Sequence, residues 1–143
     1  MSKRETALEA LKALLVAACP GADVKRNADV PNNVGPGGYL ILRDGDPGEP
    51  EVTLSPPSYA YEHRAVLEIL VEGGSDGTPE TLLDTIFGDI DMAIATDPIL
   101  GGAVDHCEPE APDVDVLGSD AGSPLRTARL NIVLIYLTSS PLG

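Results

Sequence analysis

A chain of 143 residues, 43% hydrophobic and 22% charged, has the make-up of one domain around one core. With no Trp and a single Phe, that core must be built from Leu, Ile, Val and Ala. The formal charge of −14 argues against a nucleic-acid-binding surface, which needs clustered Lys and Arg to displace counterions, and no apolar run reaches the roughly 20 residues of a membrane span.

The first element reads as a helix. Ser2 followed by Glu5 fits a capping box, Leu8, Leu11, Leu15 and Ala18 recur at helical spacing, and Pro20-Gly21 ends it. Val16-Ala17-Ala18-Cys19 looks like a lipobox. Glu5, Glu9 and Lys12, however, interrupt the apolar stretch that a signal peptide needs. A short strand is expected at 24–27, then a loop at 28–38 rich in Gly, Pro and Asn. Residues 39–43 and 51–54 are strand-like. The turn-dense Asp44-Gly45-Asp46-Pro47-Gly48-Glu49-Pro50 between them predicts a hairpin with an acidic tip, which Pro56-Pro57 separates from the next strand.

Residues 59–72 form a long alternating strand. Tyr61, His63, Ala65, Leu67, Ile69 and Val71 share one face; Glu62, Arg64, Val66, Glu68, Leu70 and Glu72 share the other. A turn at 73–77 leads to a second helix, with Thr78 as N-cap, Pro79 in its first turn and a stripe of Leu82, Leu83, Ile86, Phe87, Ile90, Ala93 and Ile94. Residues 103–117 read as an edge strand interrupted by Pro109 and Pro112. After a loop at 118–124, a second long strand spans 125–138 and is apolar on both faces over 132–137. That pattern predicts a central strand at 125–138, and an outward-looking or subunit-facing strand at 59–72. Two helices on one face of an antiparallel or mixed sheet of about five strands, an α+β fold in a single domain over 1–143, is the expected architecture.

No residue set points to catalysis, a cofactor or a metal. His106-Cys107-Glu108 brings together three ligand types, but neighbours in a strand face opposite ways. Asp105, Glu108, Glu110, Asp113 and Asp115 lack the spacing of a calcium loop. Gly35-Pro36-Gly37-Gly38 is followed by no Lys-Ser/Thr and fits no dinucleotide fingerprint. Glu62 and Glu68 are ordinary in so acidic a chain, and with His63 and His106 as its two histidines no triad spacing appears. Cys19 and Cys107 are too few for a disulfide framework and read as reduced, buried thiols.

The leading helix at 2–18, the loop from Arg26-Asn27 to Pro31, the hairpin at 38–54, the strand at 59–72, the helix at 78–96 and the closing strand at 125–138 succeed one another in an order that resembles the tail terminator proteins of long-tailed bacteriophages and gene transfer agents. Other head–tail joining or minor tail proteins, completion or adaptor subunits, share this look. The resemblance implies a non-enzymatic virion protein, made in the host cytoplasm and located at the neck of the tail. It would form a homohexameric ring that caps the tail tube protein, stops polymerisation and docks the head-side connector or stopper protein. DNA would pass through the lumen unbound, and no membrane is involved. Six copies at −14 each repel, so subunit contacts are expected to pair Arg43, Arg64, Arg126 or Arg129 with carboxylates, or to keep charge off the seam. The loops at 28–38, 44–50 and 108–124 and the charged face of 59–72 are the expected interfaces. A small hydrolytic or acyl-transfer enzyme is the competing class, and it would need His63 or His106 in a cleft with Cys or a carboxylate.

Overall fold

The computed structural model describes residues 1–73, 78–117 and 125–143. The predicted turn at 73–77, apart from Gly73, and the predicted loop at 118–124 lie outside the described residues. Helix α1 covers Lys3–Ala18. Ser2 caps it as expected, its Oγ accepting the Glu5 N–H at 3.1 Å. The reciprocal half of the capping box is not made, because both Glu5 carboxylate oxygens are taken by Arg26. Helix α2 covers Pro79–Thr96, with the Thr78 side chain accepting from the Thr81 N–H.

Among the described residues seven strands form one sheet: β1 Asp23–Arg26, β2 Tyr39–Asp46, β3 Glu51–Thr53, β4 Ser58–Glu72, β5 His106–Pro109, β6 Asp113–Leu117 and β7 Leu125–Thr138. The α+β class is as read from the sequence; the strand count is higher. The difference arises because two lines of the sheet are each broken in the middle. β2 and β3 both run antiparallel along the same side of β4, from Tyr39 opposite Leu70 to Thr53 opposite Ser58. β5 and β6 likewise share the far side of β7, from His106 opposite Ile135 to Leu117 opposite Leu125. Seven strands therefore occupy five lines, with β1 added parallel to β2.

This arrangement corrects the hairpin expected at 39–54. Residues 44–50 do not turn the chain back. Pro47 and Pro50, which cannot donate to a ladder, fall in a break between collinear strands. The reversal comes at 54–57, around Pro56-Pro57, where the Ser55–Pro56 peptide is cis. The interrupted edge strand expected at 103–117 is found over 106–117, broken between Pro109 and Asp113; residues 103–105, expected as its start, are turn and bend.

The two long strands pair with each other over fourteen residues, from Tyr59 opposite Thr138 to Glu72 opposite Leu125. β7 is central, as predicted. β4 is equally central, flanked by β2 and β3 on one side and β7 on the other, so its assignment as the outward strand is wrong. Its charged side marks a sheet face without helices, not a sheet edge.

Both helices cover the other face. Leu8, Leu11 and Leu15 of α1 and Leu83, Ile86, Ile90 and Ile94 of α2 pack on Leu40, Leu42, Leu67, Ile69, Leu130, Ile132 and Leu134. The helix-free face is not wholly wet: Ile41, Leu70 and Val133 are buried there, outside the main cluster.

Candidate assembly surfaces

One exposed apolar feature of the fold is the end of the β3–β4 hairpin. All three β3 residues are exposed, as are residues 54–57. Val52 is 52% and Leu54 73% exposed. Val52 lies opposite Tyr59, and Tyr59 opposite Thr138, so the hairpin arm is the outer line of a three-stranded end of the sheet, with the turn at 54–57 at its tip. Leu137, 53% exposed, sits opposite Ala60 on the reverse face of that base. The sequence carried a cue: two strand-like runs on either side of a Pro-Pro turn are a hairpin signature, with Val52 and Leu54 alternating into it.

A buried polar network anchors the base of the arm. His63 is fully buried on the helix side of β4. Its Nε2 can only donate to the Asp44 carbonyl, so its Nδ1 accepts from the Tyr136 hydroxyl at 2.8 Å. The Tyr136 ring lies 5.6 Å from that of Tyr61, whose hydroxyl donates to the Pro141 carbonyl. Burial pushes the Tyr136 phenol up to about 12 and holds the His63 ring below its ordinary 6.5, against the opposing pull of the Asp44 carbonyl. A depressed histidine leaves the unfolded chain as the better proton acceptor. Its stabilising contribution is therefore intact above pH 6.5 and is lost as pH falls from there toward the folded-state value. Chemical denaturation of the wild type is expected to show stability falling from pH 6.5 downward, by at most about 1.4 kcal/mol per pH unit from this group. In His63→Gln, decline should begin only where carboxylates titrate. An identical slope in the two proteins would refute the assignment.

A second cluster, centred on Arg26, joins α1 to β1 and β2. The guanidinium contacts Glu5, Glu9 at 2.7 Å and Asp44 at 2.9 Å. Asn27 adds a hydrogen bond from its Nδ2 to Asp44 at 3.0 Å. The Arg26 hydrogen bonds hold the Glu5 and Asp44 carboxyls below their ordinary values, and those of Glu5 and then Asp44 push the Arg26 guanidinium up. Sequence reasoning missed this cluster, because its members lie at 5, 9, 26 and 44 with no local pattern.

The arginines expected at subunit contacts are largely engaged within the chain. Arg43 pairs with Glu68 at 2.9 Å, Arg64 with Glu110 at 3.1 Å and Arg126 with Glu80. Arg129 lies in register between Glu68 and Asp113. Pairing of Arg43, Arg64 and Arg126 within the chain leaves few of these arginine charges to offset the carboxylates that a neighbour would meet.

The remaining candidates disperse. His106 faces away from His63: it is paired with Ile135 on the helix-free side, whereas His63 is paired with Leu134 on the helix side. The two histidines therefore share no cleft. His106 and Glu108 lie on one side of β5, 3.6 Å apart, with Cys107 buried on the other. Burial raises the Cys107 thiol to about 12 and also pushes Cys19 up, and both thiols are free. Glu110 is held by Arg64, Asp113 lies in register with Arg129, and the Asp115 side chain is outside the described residues. Glu62 is exposed, while Glu68 is held by Arg43. Gly37 passes so close to Gly21 that a Cβ would meet the Gly21 carbonyl at 1.8 Å, which makes the glycine run a packing device between two loops. No group of His, Cys, Asp or Glu among the described residues is arranged to hold a metal ion, and no helix among them is long and apolar enough to cross a membrane.

No protein-family model matches the chain, and no curated protein matches it.

Proposed function

We propose that the chain is a structural assembly subunit of the tail terminator type. In this reading it closes into a homohexameric ring at the neck of a phage tail, caps the tail tube protein and offers a docking face to the head-side connector, with DNA passing through the lumen. The observation that carries the reading is the exposed apolar hairpin at one end of the sheet. A hairpin that exposes Val52 and Leu54 and is paired into the end of the sheet offers an apolar surface that a neighbour would cover. A hairpin that lies against a different surface of the next copy makes heterologous contacts, which close into rings when the rotation permits. The leading helix, the two long strands and the helix between them agree with the element order of the family resemblance, the hairpin at 38–54 does not, and the charge of −14 suits a conduit that does not retain DNA.

Mass photometry with negative-stain imaging tests this. Wild type is expected to form six-membered rings, more readily as salt rises and screens like charge. Val52→Asp combined with Leu54→Asp should weaken association about 100-fold, since two exposed apolar anchors are worth roughly 3 kcal/mol together. A protein that stays monomeric at every concentration, even beside tail tubes, would sink the proposal. The second reading, a completion or adaptor subunit elsewhere in the head–tail junction, is separated by locating the chain in virion density.

A further inference from the structure

A groove of about 700 Å³ runs between α1 and α2 on the side facing away from the sheet. Its α1 wall includes Ala10, Ala13, Leu14 and Ala17; its α2 wall includes Met92 and Ala93. Ala13 and Ala17 are exposed, and Met92 is 72% exposed. Small side chains on both walls let a third helix approach closely, and an exposed Met supplies an adaptable apolar contact. The polar side chains lining the groove include the carboxylates of Asp89 and Asp97, and no Lys or Arg is among the described lining residues.

We propose that this groove binds a basic amphipathic helix of a partner protein. The apolar floor takes the guest's hydrophobic stripe, and Asp89 and Asp97 meet its Lys or Arg. The α1 wall runs from Ala10 to Ala18, a rise of about 12 Å, so the guest seats about two turns with anchors spaced i, i+3 or i+4, i+7. Charge selects this occupant over a second copy. The exposed arm that a second copy would offer carries Glu51 with no Lys or Arg from 51 to 61. The inference is independent of the ring: it concerns the helix face, not the arm.

The test uses the full chain and three fluorescein-labelled 14-residue peptides. One is a Leu/Lys helix with a single apolar face; one has the same composition scrambled so that no face forms; one is a Leu/Glu amphipathic helix. Anisotropy should show the amphipathic Leu/Lys peptide binding at least about tenfold more tightly than either control. Ala17→Arg, at an exposed helical site that accepts a good helix former, should weaken it about tenfold, and Asp89→Asn a few-fold. Amide shift changes should cluster in 10–18 and 89–101. Equal binding of the scrambled or acidic peptide, no effect of Ala17→Arg, or shifts outside those segments would overturn the proposal. So would self-association of the wild type that Ala17→Arg abolishes, which would assign the groove to a second copy. Should Ala17→Arg misfold by circular dichroism, Ala13→Arg makes the same test from the neighbouring exposed position.

Discussion

Replacing Gly45 with alanine is expected to lower stability by about 3 kcal/mol or more, the loss typical of backbone strain combined with a forced steric shift. Gly45 sits in the register shift between Arg43 and Asp46, where β2 bends on its way along β4, and has φ 69. A Cβ there would lie 2.0 Å from the Arg64 carbonyl oxygen and 3.0 Å from the Ala65 Cα. Both obstacles are backbone of the central strand, so nothing nearby can rotate aside. The neighbouring Asp44 carbonyl is the partner of His63 Nε2, so a shift of β2 would also leave that buried ring without an acceptor. Gly48→Ala is the control. Gly48 has the same φ of 69, but the nearest atom to its Cβ, the Glu62 carbonyl oxygen, is an ordinary 3.9 Å away. It should cost only about 1 kcal/mol. Urea denaturation of the two variants checks the pair, and comparable losses would show that positive φ alone, not the bend against β4, sets the cost.

Arg26→Ala is expected to cost about 2 kcal/mol and to change the sign of the acid response. Arg26 is 14% exposed while its partners are 41% to 49% exposed, so solvent screens the loss to below that of a fully buried pair. In the wild type, Glu5 and Asp44 have depressed pKa values. Their contribution is present above the ordinary values of 4.5 and 3.8 and fades as pH falls through and below them. Without the guanidinium, Glu5, Glu9 and Asp44 face one another uncompensated. Protonation then relieves repulsion, so this cluster should gain stability as pH drops toward 4, and 1 M salt should restore part of the loss. Thermal melts of both proteins between pH 4 and 7 decide it. Parallel pH profiles would show that the cluster contributes by packing rather than charge.

The helices and the two long strands were legible because their burial periodicity is local. Leu8, Leu11 and Leu15 declare the face of α1, and His63 through Val71 declare the face of β4, with no knowledge of what packs there. Whether residues 51–53 pair with β2 or with β4 is not local. Asp44-Gly45-Asp46-Pro47-Gly48 looks the same as a hairpin tip and as a break between collinear strands, and only the long-range partner decides. The error over β4 has a related cause. Glu62, Arg64 and Glu68 report a wet face, and a face is perpendicular to the question of who flanks the strand. Of the candidate assembly surfaces, the arm was half visible in Pro56-Pro57. The groove between the helices was not, because Ala10, Ala13 and Ala17 read as helix-forming filler until α2 lies beside them.

The fourteen-residue pairing of β4 with β7 has a mechanical consequence. At about 3.3 Å per residue the ladder is about 45 Å long, and its hydrogen bonds lie across the strand axis. A pull on the arm directed along β4 therefore loads many of those bonds at once, in shear. A pull perpendicular to the sheet's long axis would peel them one after another. The breaks at 47–50 and 110–112 fall in the flanking lines and leave this central pair continuous. The domain is thus stiff along one direction and compliant across it, and a load applied at the hairpin along β4 meets the stiff one.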